Sequence, residues 1–179
     1  MEDAPRRLCW HGMLLFLLGL VTGLFVPQLV NPRMGLAAHL EGLMNGTFLL
    51  ALGSAWPRVR LSRRAAQVAF GAAMYGTYAN WAATTVAAAF GTAALTPLAS
   101  GLHEGRPWQE LLVAFGFGSV ALAMLLSSIL LLRGFRKAAP DGTPQQVVIP
   151  AARADFGWDV VDATQWPASR LHDALEATA

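Results

Sequence analysis

The run Ala37–Thr47, AAHLEGLMNGT, sets His39, Glu41 and Asn45 among residues that are otherwise small or apolar. Polar side chains inside an apolar helix cost free energy unless each meets a partner or a cavity, so their placement is the first guide to chemistry. At ~100° per residue Glu41 and Asn45 share one helix face, while His39 points ~120° away from Asn45, together with Gly42 and Gly46. The two glycines leave a bare groove beneath the imidazole, which a flat cofactor or an adjacent helix would fill. A neutral imidazole binds iron well, which makes His39 the strongest ligand candidate. A single histidine in a membrane helix is also a common hydrogen-bonding or proton-handling group. Glu41 lies within a few turns of the positive end of its helix, and that position accounts for it without chemistry.

A second cluster is YGTYANWAATT, Tyr75 to Thr85. Thr77, Asn80, Trp81 and Thr84 recur at helical spacing and make one polar stripe. Tyr75 and Tyr78, three apart, add an aromatic wall on a neighbouring face. Such a surface either holds an aromatic substrate by stacking, with amide and hydroxyl groups orienting it, or glues helices together through hydrogen bonds. His11, near the start of the chain, reads as an interfacial histidine. The chain lacks a Ser-His-Asp order, a glycine-rich phosphate loop, a His-Glu-x-x-His helix and a ladder of carboxylates for ion transport. Its single cysteine, Cys9, excludes intramolecular disulfides and cysteine-based metal cages.

These residues need elements to position them, and composition says what those elements are. With 179 residues, 55% hydrophobic and 13% charged, the chain is too apolar for an ordinary soluble domain. Leu8–Val30, Met34–Trp56, Ala65–Phe90 and Leu111–Leu132 each reach the ~20 residues a spanning helix needs. The expected fold is an all-α, integral membrane four-helix bundle in residues 1–137, followed by a tail over 138–179. Arg6 and Arg7, then Arg58, Arg60, Arg63 and Arg64, then Arg133, Arg136 and Lys137 mark the cytoplasmic side, whereas the other connections carry only Arg33 and Arg106. Both termini are therefore expected in the cytoplasm. Trp10, Trp56 and Trp108 fall where interfacial anchors belong. No small-x-small cleavage site follows Thr22, so the first apolar run is expected to remain as a span. The net charge of +2 sits in topology-setting arginines, which argues against a nucleic-acid partner. Gly19-x-x-x-Gly23 and Gly42-x-x-x-Gly46 have the spacing that permits close helix approach, and an oligomeric bundle is the default. Paired broken helices of the transporter type are absent. In the tail, Trp166, Leu171 and Leu175, with Pro167 at an early position, suit either a short amphipathic helix or a disordered end.

The segments HLEGLMNGTFLLALG and YGTYANWAATTVAAAFGT, with WHGMLLF before them, resemble the hydroxylaminobenzene mutases, relatives of the membrane-bound styrene oxide isomerases. The similarity runs from Arg7 to about Arg136 and leaves the tail outside it. The resemblance implies an isomerase that converts an aryl hydroxylamine to a 2-aminophenol in a bacterial-type cytoplasmic membrane. It further implies a homotrimer with ferric haem b between subunits, the iron acting as a Lewis acid on the substrate oxygen. By that likeness His39 is the axial iron ligand, and the groove of Gly42 and Gly46 beneath it would take the flat cofactor. Asn45, Asn80, Tyr78 and Thr84 become the candidate catalytic residues, and Trp81 and Tyr75 the candidate substrate-binding ones. One departure stands out: the epoxide isomerases carry a tyrosine four residues after the second asparagine, where this chain has Thr84. That favours the hydroxylamine reading over epoxide-to-aldehyde isomerisation, the alternative within the enzyme class. A non-catalytic membrane channel or scaffold is the alternative from another class.

Overall fold

The helix boundaries follow capping signals written in the chain. Asn31 precedes Pro32, its side-chain oxygen accepts from the Met34 amide at 3.2 Å, and a helix runs from there to Ala55. Ser62 does the same for the helix starting at Arg63, accepting from the Ala65 amide at 3.4 Å. Gly91 ends that helix with φ at +68°, a left-handed turn that favours glycine.

The computed structural model describes residues 3–100 and 103–136. The described part is all-helical, with no strand: α1 is Ala4–Phe25, α2 Pro32–Ala55, α3 Arg63–Phe90, α4 Pro97–Ser100 and α5 Pro107–Arg136. The four long helices coincide with the four apolar segments of the sequence, and α4 is a single turn the sequence did not announce. Two stretches, Ala4–Gln28 and Pro107–Arg136, are long and apolar enough to cross a membrane. The other two long helices, α2 with 24 residues and α3 with 28, have the length, but alanine, glycine and the polar clusters dilute their apolar character. The tail, with the short helix or disordered end expected around Trp166, lies outside the described residues.

α1 packs along α2, α2 against α3, and α3 against α5. The first of these contacts is made backbone to backbone. A Cβ placed on Gly12 would come 2.8 Å from the Gly46 carbonyl oxygen, one on Gly19 2.8 Å from the Gly42 carbonyl carbon, and one on Gly46 2.6 Å from the Phe16 amide. The groove over Gly42 and Gly46 is therefore occupied by α1. Leu8, Leu15, Leu49, Leu52, Ala69 and Ala73 close the core below it.

The loops are tied by side chains. Buried Asn31 donates from its amide nitrogen to the Ala99 carbonyl at 2.8 Å and the Ser100 carbonyl at 3.0 Å, and its backbone amide donates to Ala88 O at 3.0 Å. The carboxylate of Glu110 accepts from the backbone amides of Ala93, Ala94 and Gly105, each at 2.9 Å. At the other end the Arg60 amide donates to Gly134 O at 3.0 Å.

Candidate functional site

The α2–α3 contact holds the densest polar cluster. Four residues along α2, Glu41 and Asn45 stack on one face, and the Asn45 amide nitrogen donates to Glu41 Oε2 at 3.1 Å. From α3, the Asn80 amide nitrogen donates to the same carboxylate oxygen. Asn45 Nδ2 also lies 3.4 Å from the Thr77 carbonyl. All three side chains are half-buried. Glu41 is thus the hub that joins both asparagines, and its position near the helix end does not account for it. The i, i+4 spacing to Asn45 was the available signal; the partner across the helix interface was not.

His39 faces the other way, toward α1. Its Nδ1 is 2.8 Å from the Gly19 carbonyl oxygen, and a Cβ on Gly23 would come 2.7 Å from that same nitrogen. A carbonyl can only accept, so Nδ1 carries the proton and Nε2 is left as a lone-pair donor. No described residue hydrogen-bonds to Nε2. Ligating histidines are commonly oriented through just such an N–H to carbonyl bond, so the ring fits an iron ligand. No three His, Cys, Asp or Glu side chains gather as a metal site among the described residues. One imidazole suffices where a macrocycle supplies the other donors, as in haem. Gly42 and Gly46 fit less well: α1 packs directly over them, and in this chain they serve helix approach.

The stripe on α3 divides among its neighbours. Trp81 Nε1 donates to Thr22 Oγ1 on α1 at 3.1 Å, and its ring edge lies beside Gly42. Thr84 is buried, and its hydroxyl donates back to the Asn80 carbonyl at 2.8 Å. The two tyrosines do not form one wall. Tyr78 donates to the His11 carbonyl at 3.2 Å, with the His11 ring nitrogen 3.1 Å from its hydroxyl, whereas Tyr75 meets Ser119 on α5 at 2.7 Å. α3 lies between two packed helices, which draws residues three apart to opposite sides. Asn45, Asn80 and Trp81 therefore gather around the α2–α3 contact, Tyr78 joins the α1 side and Tyr75 stands apart.

The arrangement offers acceptors at the α2–α3 contact and a free imidazole nitrogen at the α1–α2 contact. The family model described as styrene oxide isomerase matches residues 4–136. Hydroxylaminobenzene mutase HabB of Ectopseudomonas oleovorans is 49% identical over 153 residues, which cover 80% of this chain and 93% of that protein. Hydroxylaminobenzene mutase HabA of the same organism is 46% identical over 124 residues, covering 69% of this chain and 92% of the relative. No solved structure matches the chain.

Proposed function

This protein belongs to the styrene oxide isomerase family and is an isomerase, and from that premise we propose that it converts aryl hydroxylamines such as hydroxylaminobenzene to 2-aminophenols. The observation that carries the reading is the convergence of Asn45 and Asn80 on Glu41 between α2 and α3, in a chain that matches over nine-tenths of the length of relatives named for that mutase activity. In the reaction the N–O bond breaks and oxygen joins the ortho carbon. A proton leaves that carbon and nitrogen regains one, so atoms and electrons balance within one substrate.

Each residue has a part that follows from its chemistry. The carbonyl oxygens of Asn45 and Asn80 accept from substrate N–H and O–H groups and fix which way the hydroxylamine lies. Trp81, held at its indole nitrogen by Thr22, offers an aromatic face to a ring that gains positive character as the N–O bond weakens. His39, which faces α1 and not the asparagines, is the residue that would hold a b-type haem, and the ferric iron would supply a Lewis acid for a substrate oxygen oriented by the asparagines of a neighbouring subunit. Thr84 bonds the backbone carbonyl of Asn80 and so contributes only by fixing the helix on which Asn80 stands, and Tyr78 contributes through His11.

The reading includes four spans with both termini cytoplasmic, in a bacterial-type cytoplasmic membrane, and assembly as a homotrimer. The arginine distribution supports the orientation. Exposed Leu17, Leu24, Leu111, Phe115 and Leu122 suit lipid or a neighbouring subunit.

Membranes containing the protein, incubated with hydroxylaminobenzene, are expected to yield 2-aminophenol. Turnover of styrene oxide alone would point to the epoxide alternative, and inactivity toward both to a channel or scaffold. The purified protein is expected to show a Soret band that His39→Ala abolishes; a native protein without the band would remove haem from the reading.

A further inference from the structure

Glu41 touches both asparagines, and this contact determines more than their position. Asn45 has two amide hydrogens, and two acceptors face its nitrogen: Glu41 Oε2 at 3.1 Å and the Thr77 carbonyl at 3.4 Å. Turning the amide over would set its oxygen against a backbone carbonyl and a carboxylate, neither of which can donate. Asn80 is held by a single bond, its nitrogen on Glu41 Oε2. Among the described residues no donor reaches Asn45 Oδ1, Asn80 Oδ1 or Glu41 Oε1. The cluster thus presents three oxygens free to accept, while Asn45 uses its amide hydrogens on Glu41 and the Thr77 carbonyl and Asn80 uses one of its two on Glu41.

We propose that Glu41 is a positioning residue that sets specificity: by holding Asn45 and Asn80 through their amide nitrogens, it leaves both amide oxygens free to accept, so the site takes ligands that bring N–H and O–H groups and disfavours ligands that bring none. This rests on the reading that the substrate is an aryl hydroxylamine, which carries both donors. An epoxide carries neither, and binding one would cover these half-buried acceptors and leave them unpaired, a mismatch that sites built to hydrogen-bond a substrate reject strongly. Glutamine in place of Glu41 has nearly the same shape but can present either a donor or an acceptor, so the two amides are no longer forced into one orientation.

The test uses the full-length protein in detergent and two ligands of similar ring size, aniline with two N–H groups and N,N-dimethylaniline with none, their affinities measured by calorimetry. Wild-type protein is expected to bind aniline about tenfold more tightly, a difference one unpaired buried acceptor accounts for. In Glu41→Gln that preference should fall to within about twofold, with kcat/KM for hydroxylaminobenzene reduced at least tenfold and partly restored in Glu41→Asp. A Glu41→Gln protein that keeps the wild-type preference and kcat/KM overturns the proposal. If that variant does not fold, the wild-type pair still decides: equal or tighter binding of N,N-dimethylaniline overturns it. Wild-type protein that binds aniline preferentially yet leaves hydroxylaminobenzene unchanged would sink the proposed reaction while sparing the orientation of the amides.

Discussion

Asn45 shows how much a single amide can specify. Its nitrogen sits between a carboxylate and a carbonyl, so Asn45→Asp, which preserves shape, replaces the donor with an acceptor against two acceptors. The variant is expected to lose about 1–3 kcal/mol of stability in thermal unfolding, as for an unsatisfied buried polar group, and to lose most of its turnover of hydroxylaminobenzene. The Glu41–Asn45 half of this arrangement was legible, because four-residue spacing on a helix places two side chains on one face. The Asn80 half was not: which residue of α3 comes opposite Glu41 depends on the register of two helices, and a single sequence carries no measure of that register. For the same reason Glu41 read as a helix-end carboxylate. His39 was legible as a polar side chain in need of a partner, while its bond to Gly19 O again required the interhelical register.

The glycines act through whole helices. Their spacing announced close approach, and α1 and α2 do approach closely; but Gly12 meets Gly46 and Gly19 meets Gly42, while Gly23 yields its space to the His39 ring. The open groove expected over Gly42 and Gly46 closed because the helix that fills it is the chain's own α1. Gly42→Leu is expected to force α1 and α2 apart, seen as loss of the folded species in size-exclusion chromatography and of activity. Gly71, on α3, is a control: a Cβ there meets nothing within 4 Å. Gly71→Ala should be neutral or stabilise by up to ~1 kcal/mol, the helix-propensity difference between the two residues, as read from the melting temperature. The single turn α4 escaped notice because four residues starting at a proline carry no periodicity to detect.

In the molecule as a whole, the connection between α3 and α5 is secured from two directions, by the Glu110 carboxylate on its backbone amides and by Asn31 on the carbonyls of α4. Asn31→Asp separates the two duties of that residue. An aspartate still caps α2 through the Met34 amide but cannot donate to Ala99 and Ser100. Asn31→Asp is therefore expected to keep α2 intact by circular dichroism while hydrogen exchange accelerates in residues 92–100, and equal protection of that segment in both proteins would contradict this division. The four apolar runs foretold the long helices of this body; the fastening of its loops depends on single amides and carboxylates that look ordinary in the sequence.

The Asn31 amide also bears on the order of assembly. Its acceptor at Ala99 lies 68 residues further along the chain, so during synthesis the α1–α2 pair exists for a long interval with an amide that has no protein acceptor. That end of the pair must stay in contact with water until α4 arrives to cover it, and a ribosome-arrested chain that stops short of Ala99 should still be open to solvent there.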